Sequence, residues 1–286
     1  MSTVTSIQTK QAALRPPKIL AVVAHPDDEY HFAVTLHKAT RELGGTVDQV
    51  IITDGAGGHR YTRLAEQLYG VPLSSHAPSL REVRREETAA AGQILGIRQH
   101  FFLNQPDTGF TLSQSSAITD WDHLAVTGHL DRLLDTGDYD FVFILLPTHD
   151  THGHHKATAL LTIEAVERLP KAQRPAILAA DAAHEEDRMH ASSPLLEHPS
   201  IRPSHRQYSI SRKHAHPLDP SLTYEVIANW VIAAHKSQGL FQMEAGRHTL
   251  ERFWLLDCGH GNAAGRADGF FQRLQPSSAQ TVSIPA

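Results

Sequence analysis

Cysteine is nearly absent: the 286 residues include one, Cys258. A single thiol excludes an internal disulfide framework and fits a reducing, cytoplasmic setting. Long apolar runs are missing too, none approaching the roughly 18 residues that a membrane-crossing helix needs. Residues 1–17 are polar and mixed, without an apolar core of signal-peptide length, and read as a flexible leader. Charge of one sign is not concentrated: 26 Lys and Arg against 31 Asp and Glu leave a net charge of -5. That balance gives no electrostatic reason for nucleic acid or an anionic membrane as partner. Internal repeats and low-complexity segments are also lacking. What remains, 41% hydrophobic and 20% charged residues, is the composition of a globular protein with enough chain for a substantial core.

One residue type is abundant. The chain carries 21 histidines, and their positions matter more than their number. The stretch Lys18-Ile-Leu-Ala-Val-Val-Ala-His-Pro-Asp-Asp-Glu29 begins as an uninterrupted run of small and branched apolar residues. Such a run suits a strand buried on both faces of a parallel sheet. Pro26 cannot donate to a ladder and biases His25 to an extended backbone, so the strand ends there. His25, Asp27, Asp28 and Glu29 are thereby delivered to the carboxyl end of a central strand, the edge where open α/β sheets bind ligands. A divalent metal site is one reading; a turn that caps the next helix with Asp is the other.

The rest of the chain alternates. Tyr30 to Leu43 has helical spacing and stops at Gly44-Gly45, and Thr46 to Thr53 is a second strand. Asp54-Gly-Ala-Gly-Gly58 follows without the spacing of a phosphate loop and reads as a tight loop at a pocket rim. Residues 59–79 form a polar excursion. Leu80 to Leu95 is a helix capped by Gly96, and Gln99 to Leu103 a short strand that leads into Asp107. Leu124 to Leu134 is helical, and Tyr139 to Leu146 is the strongest strand signal. The strand runs into Thr148-His-Asp-Thr-His-Gly-His-His155, followed by a helix to Leu169. Ile177 to Ala180 is a further strand. Residues 184–220, rich in His, Pro and Ser, read as a loop-like lid or edge subdomain. Tyr224 to Phe241 is a helix, and the chain from 259 to 286 reads as a weakly ordered tail. Strand, loop and helix in alternation imply a doubly wound α/β sheet, with residues 18–258 as a single domain.

Two strand ends of one parallel sheet lie on the same edge, so the loop at His25–Asp28 and the loop at His152–His155 can meet over it. A catalytic zinc takes about three protein ligands and keeps a position open for water. His25, one aspartate and one histidine of 152–155 meet that requirement. The other aspartate is then free as a general base, and a spare histidine can polarise a carbonyl or protonate a leaving group. Amide or ester hydrolysis is the chemistry this suits.

The motif Ala24-His-Pro-Asp-Asp-Glu29 resembles the signature of the LmbE-like, or PIG-L-type, zinc-dependent de-N-acetylases. The resemblance continues through Arg84-x-x-Glu87 with Leu95-Gly96, Pro106-Asp107 before Gly109, Asp150-x-His152-x-x-His155, and Ala234-His235-x-Ser237-Gln238. It implies a Rossmann-like, mostly parallel sheet with a C-terminal loop-rich or helical extension. It also implies His25, Asp28 and His155 as zinc ligands, Asp27 as the base acting on the metal-activated water, and His152 as the stabiliser of the oxyanion. Arg84 and Asp107 align with substrate-contacting positions. One position departs from the pattern: the family commonly has Asp before its third zinc histidine, and here His154 stands there.

The expected function is therefore zinc-dependent removal of an N-acetyl group from an N-acetylated amino sugar or small glycoconjugate, with Fe2+ or Co2+ as other metals a His2Asp site accepts. The partner is a small molecule, with neither nucleic acid nor a transmembrane segment involved. Two rival expectations are an amidase of the same fold acting on another N-acyl small molecule, and a non-catalytic Rossmann-like protein binding nucleotide or metal.

Overall fold

The computed structural model describes residues 15–58, 62–73, 78–183, 195–238 and 247–275. A seven-stranded sheet has the order β3-β2-β1-β4-β5-β9-β6. Strands β1 (Lys18–Val23), β2 (Thr46–Thr53), β3 (Ile97–Gln105), β4 (Phe141–Leu145) and β5 (Ala176–Ala183) are parallel. Strand β9 (Leu250–Leu256) runs antiparallel between β5 and β6 (Pro203–Ser211). The expected α/β fold is thus present, with an antiparallel edge added by the C-terminal third. A separate hairpin pairs β7 (Ala215–His216) with β8 (Asp219–Thr223).

The apolar run of β1 is buried because helices cover both faces. Ile19, Ala21 and Val23 face one core, shared with α1 (Ala33–His37), α3 (Pro78–Leu95), α7 (Glu225–Ala234) and α8 (Ala263–Leu274). Leu20 and Val22 face the other, shared with α5 (His123–Gly137) and α6 (Gly153–Arg168). Period-two alternation with apolar residues on both sides produces this double burial. The order also fixes the site. Strands β2 and β4 flank β1 on opposite sides, so the chain reverses its winding at β1, and the crevice lies outside its carboxyl end. No helix among the described residues is long and apolar enough to cross a membrane.

Several elements differ from the sequence expectation. The helix expected over Tyr30–Leu43 is a 3-10 turn at Asp28–Phe32, α1, and a π-helical turn at Lys38–Glu42. Its first break has a visible cause. The Arg212 guanidinium takes the Tyr30 carbonyl, and the Val34 and Thr35 amides donate to the Glu251 carboxylate at 2.8 Å each. The regular ladder cannot run through those groups. Within the polar excursion sits α2 (Thr62–Tyr69). The helix expected to reach Phe241 ends at Ala234, and a 3-10 turn covers Lys236–Gln238. Residues 239–246 lie outside the described residues, as do 184–194 of the expected lid and most of the leader. The remainder of that lid region contains β6, β7 and β8. The expected weak tail instead holds α8, whose Ala267, Phe270, Phe271 and Leu274 are buried against the sheet. Those positions do recur at helical spacing, diluted by polar neighbours.

Glu251 and Arg212 are both fully buried and paired at 3.1 Å, and Glu251 also accepts the Thr35 hydroxyl at 2.7 Å. Truncating one member strands the other charge in the core. Arg212→Met is expected to lower unfolding stability by about 3–5 kcal/mol, measured by chemical denaturation. A loss below 1 kcal/mol would mean that Glu251 finds another partner.

Candidate active site

The His25-Pro-Asp-Asp turn is built around one carboxylate. Asp28 Oδ2 accepts the backbone amides of Ala24 at 3.0 Å and His25 at 2.7 Å. Its other oxygen, Oδ1, lies 3.2 Å from His155 Nε2. His155 reaches the turn from the first turn of α6, and its Nε2 sits 3.1 Å from His25 Nδ1. His25 Nδ1 is 3.5 Å from Asp28 Oδ2. Tetrahedral zinc with nitrogen and oxygen ligands at about 2.0–2.1 Å separates them by about 3.3 Å. The His155–His25 and His155–Asp28 pairs match that spacing, and one ligand atom from each of the three residues lies within 4.8 Å of the others. The far side of His155 also suits a ligand, since its Nδ1 lies 3.2 Å from the Thr151 hydroxyl, leaving Nε2 to face the trio.

Neighbouring aspartates are pushed in opposite directions. Burial raises the Asp28 carboxyl, but the His155 and His25 rings beside it outweigh burial and hold it well below its ordinary value. Burial pushes Asp27 up to about 6, with Arg84 pulling against that rise. Asp27 also sits at a φ of 139°, a conformation that non-glycine residues rarely adopt and that costs about 1–3 kcal/mol. Arg84 secures it: its guanidinium donates to the carbonyls of Pro26 and Gly55 at 2.7 Å each and lies 3.2 Å from Asp27 Oδ2.

His152 caps the N-terminus of α6, its Nδ1 accepting the His154 amide at 3.0 Å. The ring proton therefore belongs on Nε2. Burial lowers its pKa to about 3, so the ring is neutral and offers one N–H. His25, Asp27, Asp28, His152 and His155 all line one cavity of about 680 Å3, together with Arg84 and Asp107. The structure thus gathers all seven sequence-derived site residues. Arg84, however, is buried with its guanidinium turned to backbone and Asp27 rather than outward. Asp107 accepts the Gly109 amide at 3.0 Å and faces Arg84 at 3.9 Å.

The glycine loop at 54–58 is a packed rim, not a phosphate cradle. A Cβ on Gly57 would collide with the Asp107 carboxylate, and one on Gly58 with the Arg84 guanidinium. The Ala56 amide is already taken by the Asp54 carboxylate at 2.9 Å.

Other contacts around the site were not read from the sequence. His154 is fully buried, with Nδ1 at 3.0 Å from His25 Nε2 and Nε2 at 3.0 Å from the Ala117 carbonyl. Burial lowers its pKa to about 4. The Ser237 amide and hydroxyl both donate to Glu87, at 2.7 and 2.6 Å, which gives the Ser237-Gln238 pair a role. It fastens the turn after α7 to α3, one turn along from Arg84. Glu29 and His235 form a buried pair at 2.6 Å, with the Gln49 amide on the other Glu29 oxygen.

An α/β sheet with a two-histidine, one-aspartate trio at its switch point defines the class, and residues 20–166 match the family described as PIG-L, GlcNAc-PI de-N-acetylase. The matched segment is just over half of the chain, and the chain belongs to that family. A Bacillus cereus protein described as a probable N-acetyl-alpha-D-glucosaminyl L-malate deacetylase is 22% identical over 159 residues, covering 56% of this chain and 65% of that one. The N,N'-diacetylchitobiose deacetylase of Pyrococcus horikoshii superposes with a TM-score of 0.52 at 20% identity, covering 84% of each chain. A deacetylase of the teicoplanin biosynthesis pathway does so with a TM-score of 0.57 at 17% identity, covering 84% of this chain and 98% of that one. At these identities the structural likeness is one of fold.

Burial lowers the His235 pKa, but the adjoining Glu29 carboxylate outweighs burial and leaves it raised above 6.5. Burial raises Glu29, yet His235 holds it below 4.5. The His235 contribution to stability is full below pH 6.5 and is lost as pH rises through its raised value. The Glu29 contribution is full above pH 4.5 and is lost as pH falls through its lowered value. The His235→Gln variant should therefore be least destabilised, relative to wild type, on the alkaline side. Denaturation midpoints from pH 5 to 9 test this; a difference that does not shrink with rising pH contradicts it.

Proposed function

We propose that this protein is a metal-dependent hydrolase that removes the acetyl group from an N-acetylated amino sugar or a small glycoconjugate. The observation that carries the reading is the trio His25, Asp28 and His155, with His155 Nε2 at 3.1 Å from His25 and 3.2 Å from Asp28, in one cavity with a half-buried aspartate pushed up to about 6. His25, Asp28 and His155 would hold the ion, zinc by preference for this donor set and spacing, with Fe2+ or Co2+ also accommodated. When bound, the metal supplies Lewis-acid polarisation and a water of lowered pKa.

The remaining chemistry belongs to side chains. Asp27 takes a proton from the attacking water as that water's oxygen bonds to the acetamide carbon. A base with a pKa near 6 is largely ionised at neutral pH and still strong enough to accept the proton. The carbonyl oxygen becomes negative, and the neutral His152 ring offers its Nε2 proton to it. When the C–N bond breaks, the proton held on Asp27 passes to the departing amine nitrogen, giving acetate and the free amine. Arg84 keeps Asp27 in its strained conformation and favours its charged form through these steps.

A sugar substrate is supported by the wall that β5 and β9 contribute to the cavity. Trp254, Asp181 and Arg252 line it. An indole beside a guanidinium and a carboxylate is suited to a ring bearing hydroxyls. The Bacillus cereus relative's described substrate, an N-acetylglucosaminyl malate, is of this kind.

Acetate release from a panel of N-acetyl sugars and glycoconjugates tests the reading, with metal content measured on every preparation. Asp27→Ala is expected to retain its metal and lose about 10²–10⁴ in kcat. His152→Ala should lose kcat with little change in metal content. Undiminished turnover in Asp27→Ala, or zinc-loaded wild type inert toward the whole panel, would defeat the proposal.

A further inference from the structure

His154 carries chemistry that the mechanism above does not use. An imidazole that gives its Nδ1 lone pair to a metal must, if neutral, carry its proton on Nε2. For His25 that Nε2 lies 3.0 Å from His154 Nδ1. His154 Nδ1 must then be bare to accept, which moves its own proton to Nε2. That nitrogen lies 3.0 Å from the Ala117 carbonyl oxygen, which can only accept. Starting from the carbonyl gives the same answer. Ala117 O demands a proton on His154 Nε2, a neutral His154 offers a bare Nδ1, and His25 must meet it with Nε2–H. Both ends of the chain require one pattern of tautomers.

The ring that transmits this pattern is held from several sides. His154 stacks on Trp121, with centroids 5.4 Å apart and planes 14° from parallel, and on His152 at 4.7 Å and 19°. The Trp121 indole in turn donates to the Pro106 carbonyl at 3.0 Å. Ala117 ends the short α4 (Gln114–Ala117), and the segment leading into it is fastened to the start of α6 where the Gly153 amide donates to the Thr111 carbonyl at 2.7 Å. A Cβ on Gly153 would collide with the Ser113 carbonyl and crowd the Ala117 side chain, so glycine is what allows α4 to approach.

We infer that His154 is a positioning residue that sets the tautomer and orientation of His25 for the metal, with the Ala117 carbonyl as the fixed end of the relay. The inference rests on the proposed trio His25, Asp28 and His155. It also separates that trio from the second cluster His25, His152 and His154, which would need a bare Nε2 on His25.

Two measurements test this. Long-range ¹H–¹⁵N NMR on metal-free wild type, labelled at histidine, is expected to show a proton on Nε2 of both His25 and His154, with Nδ1 of His154 bare. A proton on His154 Nδ1, or a bare Nε2 on His25, overturns the relay. Zinc affinity by competition with a chromogenic chelator is then compared across variants. His154→Leu should weaken binding by about 10–100-fold, the usual effect of removing a ligand's hydrogen-bond partner. His154→Asn, whose amide oxygen can still accept from His25, should stay within about threefold of wild type by the same reasoning. Equal affinity in His154→Leu and wild type, or equal losses in both variants, overturns the inference. Wild type that takes up no zinc defeats the metal reading instead, and the NMR measurement, which needs neither metal nor variant, still decides the relay.

Discussion

The Asp28 carboxylate is the constraint on which the site depends. One oxygen closes the turn by accepting two consecutive backbone amides, and the other faces His155 across the crevice. A residue that ties down its own loop with one atom and offers the other to a ligand is preorganised, because its rotamer is fixed before anything binds. The turn can be this tight because Pro26 ends the ladder of β1. The strained backbone at Asp27 follows from the same geometry. Asp28 turns back to the chain, and Asp27 must take the conformation left to it.

The two aspartates then divide the chemistry by environment. They are adjacent in sequence and share the same reference acidity, yet one is driven down by two imidazoles and the other up by burial. A carboxylate that stays charged suits a cation, and one that titrates near neutrality suits proton transfer. Divergence of this kind is how neighbouring acids come to have distinct roles. Arg84 sits between these effects, limiting the rise at Asp27 while its other contacts hold the two loops that flank it.

Much of this was legible in the sequence, for a definite reason. The β1 run, the Pro26 stop and the strand at Tyr139–Leu146 are local signals, and parallel topology converts two strand ends into one site without further information. His25, one of the two aspartates and one histidine of 152–155 could be placed together on that basis, and the choice of Asp28 and His155 comes from the family resemblance. Less local features were not readable. The break near Tyr30 is imposed by Arg212 and Glu251, some 180 to 220 residues away. The α8 apolar stripe is diluted by Arg266, Asp268 and Gln272. The place of His154 depends on α4 and Trp121, neither of which carries a motif. Adjacent residues on a helix point roughly 100° apart, which argues against both His154 and His155 reaching one ion. The structure agrees in an unexpected way: both reach His25, on opposite nitrogens of its ring.

That long-range dependence bears on what the family match means. The matched segment, residues 20–166, contains every candidate ligand and the candidate base. It does not contain all the groups that satisfy its buried acids and helix ends. Glu29 is paired by His235, Glu87 by Ser237, and the Val34 and Thr35 amides by Glu251, which Arg212 neutralises. Each of these partners lies beyond residue 166, and each contact is buried. Without them, Glu29 and Glu87 would be charges in an apolar interior with few hydrogen bonds, a state that costs several kcal/mol per group. The C-terminal third is therefore part of the site's support, not an appendage to it. Such contacts close loops of more than 100 residues, so the burial and pairing at the β1 crevice must offset that closure entropy.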